Sequence, residues 1–198
     1  LNYQAIVDFH ISDSVSNGLT AFENINYLKN NQFIEIKNDK LKIKNIDVNF
    51  SVNPKIIKVS QSQSKARILN ILQKSVKNSF YGDKKVGVFL SGGVDSFSIL
   101  SILNKLYPQK KIHTFTANFQ HVYKKNLIVG EGKFAKKFSK KFNSIHHDVI
   151  ITEKDLLKFI KNSPLPCPTL IDATIDKLSK QCKKYGVEVV LSGEGADE

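Results

Sequence analysis

Apolar and polar residues alternate along Gln32-Phe33-Ile34-Glu35-Ile36-Lys37 and again along Leu41-Lys42-Ile43-Lys44-Asn45-Ile46. The polar link Asn38-Asp39-Lys40 between the two runs is of hairpin length. The pattern therefore predicts two antiparallel strands with one buried face. A hairpin of this size does not fold securely alone. Over residues 47–64 the periodicity fades into polar residues around Pro54, which reads as an inter-domain connection. The period then becomes helical. Across 65–80, Ile68, Leu69, Leu72 and Val76 fall on one face, and Gly82 follows as a stop.

Strand-like and helix-like segments alternate after that point. Apolar runs at 86–90, 112–118, 144–150 and 187–191 predict strands, and a helix follows the first of them over 97–106. Between the second and third runs, Phe134, Phe138 and Phe142 recur every four residues, with Lys136, Lys137, Lys140 and Lys141 mostly elsewhere on the wheel. Aromatics at that spacing predict a core-facing stripe with the lysines in water, in preference to an RNA-binding face. His146 and His147 are neighbours on a strand, so they point to opposite faces and cannot chelate one metal. Thr152 with Asp155, and Thr169 with Asp172, have capping-box spacing and open two helices, with Asp where Glu is usual. Ser163-Pro164-Leu165-Pro166-Cys167-Pro168 cannot be helical and predicts a rigid loop. The helix after it should bury Ile171, Ile175, Leu178 and Cys182 and end at Gly186. Repeated strand–helix alternation predicts an α/β fold, a parallel doubly wound sheet with helices on both faces.

Candidate chemistry gathers at the carboxyl ends of the first and last predicted strands. The run Val86-Gly87-Val88-Phe89-Leu90 enters Ser91-Gly92-Gly93-Val94-Asp95-Ser96 and then a helix. Backbone N–H groups converge at such a helix start, the helix dipole adds partial positive charge, and glycine lets a phosphate approach the main chain. Ser91 and Ser96 add hydroxyl donors, and Asp95 puts a carboxylate where a metal held by those phosphates would sit. The glycine spacing excludes a Walker-type loop. By chance this pattern would recur in roughly one chain of this length in several thousand. The last strand enters Ser192-Gly193-Glu194-Gly195-Ala196-Asp197-Glu198, a second small-residue loop rich in carboxylates. Ligands of doubly wound sheets sit outside the carboxyl ends, where strand order reverses. If the first and fourth strands are neighbours, Asp95 and Asp197 face one cleft, a geometry suited to a magnesium ion bridging phosphate oxygens.

Of the 198 residues, 41% are hydrophobic, enough for one full core and a smaller appendage. No apolar run approaches the length of a membrane span and no secretory signal opens the chain, so no membrane partner and a cytoplasmic location are expected. Cys167 and Cys182 lack C-x-x-C spacing, which argues against zinc and for reduced thiols. The net charge of +12 raises the question of nucleic acid, but the lysines are spread along the whole chain, and phosphate ligands are anions too. The chain opens on Leu1, contains no Met, and ends inside the second loop, so a piece of a longer protein is expected.

The first loop resembles the S-G-G-x-D-S pyrophosphate loop of enzymes that split ATP between its α- and β-phosphates. Together the two loops resemble the synthetase domain of the glutamine-hydrolysing asparagine synthase family, and of its relatives the β-lactam synthetases, which carry S-G-G-x-D-S and then S-G-E-G-x-D-E. The resemblance covers residues 60–198 well. Residues 1–57, especially 20–43, more weakly resemble the last strands of that family's N-terminal glutaminase domain, whose nucleophilic cysteine is absent here. It implies a glutaminase-domain remnant and linker over 1–57 and an ATP-pyrophosphatase domain, incomplete at its C-terminus, over 58–198.

By the same resemblance, Ser91, Gly92, Gly93, Asp95 and Ser96 hold pyrophosphate, and Asp95 and Asp197 hold magnesium. The main chain at Phe89 and Ala117 meets the adenosine end of ATP with Ser192 and Gly193, and Glu194 assists acyl transfer. The family's later lysine should lie beyond Glu198. The implied reaction is amide formation: aspartate attacks the α-phosphate of ATP, pyrophosphate leaves, and glutamine-derived ammonia converts the β-aspartyl-AMP to product and AMP. This piece alone should be inactive. The runner-up reading is a related amidotransferase or β-lactam-synthetase-like ligase acting on another carboxylate. An RNA-modifying pyrophosphate-loop enzyme fits less well, because such enzymes commonly carry paired catalytic cysteines or C-x-x-C zinc sites. The expected partners are small molecules and not nucleic acid, with a homodimer left open.

Overall fold

The computed structural model describes residues 1–12, 14–15, 18–46, 59–80, 83–120, 128–129, 132–163 and 169–195. The chain divides into two compact units, Leu1–Lys58 and Val59–Glu198.

The first unit opens with a helix, α1 (Tyr3–Ser12), that hydrophobic periodicity did not single out, and continues into strands β1 (Gln32–Lys37) and β2 (Lys40–Asn45). They pair antiparallel with Ile34 opposite Ile43 and Ile36 opposite Leu41. The turn is two residues long, with Asn38 at φ 49° and Asp39 at φ 58°. These left-handed residues make the kind of turn whose twist matches a hairpin, and Asn and Asp tolerate that region. Lys44 Nζ lies 2.7 Å from Glu35 on the polar face. The expected buried face is not buried: Ile36 and Leu41 are 71% and 60% exposed. A two-stranded ribbon has no second layer of its own to cover either face.

The second unit begins with α2 (Gln61–Ser79), which starts earlier than the apolar period suggests. Ser60 caps it, accepting from Gln63 N–H, while the Gln63 side chain returns to the Ser60 backbone. Val76 and Phe80 are buried, but Ile68, Leu69 and Leu72 are exposed, so only the last turns of the predicted face enter the core. Gly82 lies outside the described residues.

The alternation that follows is β3 (Val86–Phe89), α3 (Val94–Leu106), β4 (His113–Gln120), β5 (Ile128–Val129), α4 (Gly132–Lys141), β6 (Ile145–Ile151), α5 (Glu153–Asn162), α6 (Leu170–Lys184) and β7 (Val189–Leu191). Strand β3 is central, pairing in parallel with β4 through Phe89 and Phe115 and with β7 through Val86 and Val189. Strand β6 pairs in parallel with the other edge of β4. Phe119 meets Ile151 of β6 on one side and Val129 of β5 on the other, so the short antiparallel β5 stands beyond the end of β3.

Helices cover both faces of the sheet. Val86, Val88 and Leu90 pack with Leu100, Leu103 and Ala135 on one face, and Phe115 and Val149 pack with Leu178 and Cys182 on the other. The aromatic stripe of α4 is only partly core. Phe138 and Phe142 pack on that first cluster, and Phe97 lies 4.5 and 5.4 Å from their rings, but Phe134 is 63% exposed. The inward positions are instead Gly132, Ala135 and Ser139, since a Cβ at Gly132 would stand only 2.5 Å from Asn118 Oδ1. Small residues let the helix sit close to β4, and the stripe rotates outward.

Thr152 and Thr169 close capping boxes with Asp155 and Asp172, as the spacing predicts. On α6 Leu178 and Cys182 are buried, whereas Ile171 is exposed and Ile175 is at the border of exposure. Gly186, at φ 67°, follows the helix in the left-handed region. Residues 164–168, including Cys167, lie outside the described residues. His146 and His147 do point apart: His146 Nδ1 meets Thr114 Oγ1 at 3.0 Å, while His147 Nε2 meets His113 Nδ1 at 2.9 Å and its ring stacks 3.9 Å from Tyr185. Burial is the main cause holding His113 and His147 below the usual histidine pKa. That pair sits at the amino end of the strands, away from the loops considered next.

Candidate functional site

Past β3 the chain turns through Ser91, Gly92 and Gly93 into α3. Gly92 takes φ 97°, a conformation that glycine adopts without a Cβ clash. Two serines tie the loop. Ser91 Oγ accepts the Gly93 N–H at 3.2 Å, and Ser96 Oγ accepts the Ser91 N–H at 3.3 Å. The two hydroxyls are 3.1 Å apart, and Ser96 also donates to the Gly93 carbonyl at 3.2 Å. Ser96 is buried, so its hydroxyl shapes the loop from within. The N-cap of α3 is Gly93, in extended conformation and with no side-chain cap. Its first-turn N–H groups are left as donors, with half-buried Asp95 among them.

Because β7 lies beside β3, the second loop arrives next to the first. A Cβ at Gly193 would stand 2.8 Å from Asp95 Cβ and 2.9 Å from the Ser96 nitrogen. Only glycine lets the Ser192–Gly195 backbone rest on the first turn of α3. Glu194 N–H donates to Ser192 Oγ at 3.2 Å, and Gly195 takes φ 81°. The Ser192 and Glu194 side chains are exposed. Asp197 lies outside the described residues, and with it the expected cleft shared with Asp95.

A cavity of about 310 Å³ opens beside the first loop, lined by Phe89, Ser91, Phe115, Ala117, Phe119 and Thr174 among others. Its lining is mainly apolar, and Ser91 brings the start of the serine–glycine loop to its border. Of the residues assigned from sequence, Phe89, Ala117 and Ser91 line this cavity, and Asp95, Ser96 and Gly193 meet one another where the two loops touch. Phe119 and Thr174 were not foreseen. Thr174 shares one helical face with Leu178 and Cys182, and that spacing of four is the signal that could have found it. At the mouth of the cavity the β3–β4 ladder ends: Leu90 N–H donates to the Phe115 carbonyl at 2.9 Å, while the Leu90 carbonyl accepts the Thr116 hydroxyl at 2.5 Å.

A parallel sheet wound with helices on both faces thus carries a serine–glycine loop at its central strand and a second glycine loop folded against it. The asparagine synthase family model matches residues 67–198, and the chain belongs to that family. It is 28% identical over 145 residues to asparagine synthetase [glutamine-hydrolyzing] 3 of Bacillus subtilis, covering 67% of this chain and 24% of that protein. It is 29% identical over 148 residues to asparagine synthetase B [glutamine-hydrolyzing] of Escherichia coli, covering 68% of this chain and 26% of that protein. The chain thus spans about a quarter of the length of these relatives. Among solved structures, a tRNA thiolase of Methanococcus maripaludis aligns with TM-score 0.47 and 17% identity, over 67% of this chain and 47% of that one.

Proposed function

We propose that the full-length protein is an asparagine synthase: an ATP-dependent ligase that activates the aspartate side-chain carboxylate as β-aspartyl-AMP and amidates it with glutamine-derived ammonia, releasing AMP and pyrophosphate. The observation that carries this reading is the seat of Gly193 against Asp95 and Ser96, which joins two sequence-distant loops into one surface.

In this reading the α3 N–H groups and the Ser91–Gly93 loop receive the β- and γ-phosphates and neutralise charge as pyrophosphate departs. The base and ribose occupy the cavity, against Phe89 and the Ala117 main chain, with Ser192 and Gly193 on the sugar side. Among the described residues no group of three or more His, Cys, Asp or Glu is gathered to hold a metal. Magnesium uses one or two protein carboxylates and takes phosphate oxygens and water for the rest. Asp95 would hold it with Asp197, and when bound it supplies further positive charge at the departing phosphates. Glu194 positions or deprotonates ammonia, which attacks only when neutral. The first unit is the end of a glutaminase domain that supplies the ammonia.

The test is product stoichiometry. Full-length protein given ATP, magnesium, aspartate and ammonia should release AMP and pyrophosphate in equal amounts, dependent on aspartate. Release of ADP and phosphate would overturn the reading.

A further inference from the structure

Peptide groups along a strand alternate in direction, and β4 shows the phase clearly. The Phe115 carbonyl accepts from Leu90 on the β3 side, whereas the Ile112 carbonyl accepts from Ile145 on the β6 side. Ala117 is in phase with Phe115, so its N–H and C=O both face the β3 side, where it lines the cavity beside Phe89 and Ser91. In a regular parallel ladder the Ala117 N–H would donate to the Leu90 carbonyl. That carbonyl is taken instead by the hydroxyl of Thr116, a side chain that is 2% exposed.

We propose that Thr116 is a positioning residue for nucleotide recognition. By occupying the Leu90 carbonyl it stops the ladder one rung early and keeps the Ala117 N–H and C=O presented to the base. This rests on the ATP reading above. An N–H and a C=O from one residue match the edge of adenine, where a ring nitrogen accepts and the adjacent amine donates. Guanine offers the reverse order on that edge. A buried carbonyl left without a donor is costly, so removing the Thr116 hydroxyl draws the Ala117 N–H onto Leu90 and closes the rung.

Thr116→Val keeps the branched shape and deletes the donor. In the full-length protein it should raise the KM for ATP about tenfold, the worth of roughly one hydrogen bond. The kcat at saturating ATP should stay within about twofold, and the preference for ATP over GTP should fall with the rise in KM. Thr116→Ser should restore wild-type values. In the wild type, a non-hydrolysable ATP analogue should slow hydrogen exchange at the Ala117 amide, a measurement that stands even if the Val variant does not fold. An unchanged KM in a folded Thr116→Val protein, a Ser variant no better than Val, or an Ala117 amide indifferent to the analogue overturns the proposal. Wild-type protein that makes no ATP-dependent pyrophosphate overturns the functional reading itself, and this inference with it.

Discussion

Helices α5 and α3 both carry an aspartate in the first turn, yet their N-termini are built for different ends. On α5, the Thr152 and Asp155 side chains each accept from the other's backbone N–H, and Lys177 of α6 completes the arrangement by pairing with Asp155. Partial burial pushes the Asp155 carboxyl up, but hydrogen bonds from Lys177 and Thr152 outweigh it and hold the pKa at about 2. The same device recurs at Thr169 on α6 and, with Gln63, at Ser60 on α2. On α3 the cap position is Gly93, no side chain accepts from the first turn, and the nearby serines bond to the loop. One kind of helix start is closed by its own sequence. The other leaves its first turn without a side-chain acceptor, which is what an anion site requires.

Asp95→Asn should break the contrast most severely. In the full-length protein it should cut adenylate formation by about a thousandfold while glutamine hydrolysis persists, measured as pyrophosphate and glutamate release on the same preparation. Gly193→Ala comes next. Its new methyl meets a Cβ and a backbone nitrogen, neither of which can swing aside, so one loop must move. A displacement of that kind should lower kcat/KM for ATP by about a hundredfold, with folding checked by thermal unfolding.

Gly93→Ser sharpens the comparison by turning an open helix start into a closed one. A Cβ there meets only Ser91 Oγ at 3.4 Å, an ordinary contact. The new hydroxyl should stabilise the fold by a few tenths of a kcal/mol yet raise the KM for ATP about tenfold, because it consumes donors meant for phosphate. Thr152→Ala should do the opposite, costing about 1 kcal/mol of stability and leaving the KM for ATP unchanged. It should also flatten the acid limb of the stability profile. The folded Asp155 carboxyl titrates near 2 against an ordinary 3.8, so its contribution is complete above about pH 4 and drains away as the pH falls toward 2. Urea unfolding across that window, in both proteins, reads the difference.

The elements that sequence discloses are those determined by near neighbours. The boxes at Thr152 and Thr169 each span four residues, the turn falls at Asn38-Asp39 within the Asn38-Asp39-Lys40 link with Lys40 already in β2, and the loop after β3 is contiguous; all were legible. The neighbourhood of β3 and β7 was legible only as a condition, because it follows from how the whole sheet is wound. Exposure was read least well. Ile68, Leu69 and Ile171, and the hairpin pairs Ile34–Ile43 and Ile36–Leu41, occupy regular apolar faces and are nonetheless exposed in this chain. Periodicity reports that a face is apolar, not which surface covers it. Phe134 failed for a different reason: the close approach of Gly132 to Asn118 rotates α4, and no periodic pattern encodes that distance. Thr116 was passed over because a threonine in a strand ordinarily reflects β-propensity, and its partner, Leu90, is recognisable only once two strands are side by side.

The central place of β3 also sets an order in time. Its partner β7 is distant in sequence, and the Lys85 N–H donates to Glu188, 103 residues later. Closing so long a loop is entropically slow, and its cost precedes any return from packing. A ribosome delivering this chain releases the serine–glycine loop long before Gly193, so the nascent protein passes through a stage with one half of the surface finished and the other unsynthesised. In the proposed reading, nucleotide affinity therefore follows the docking of the second loop on the first.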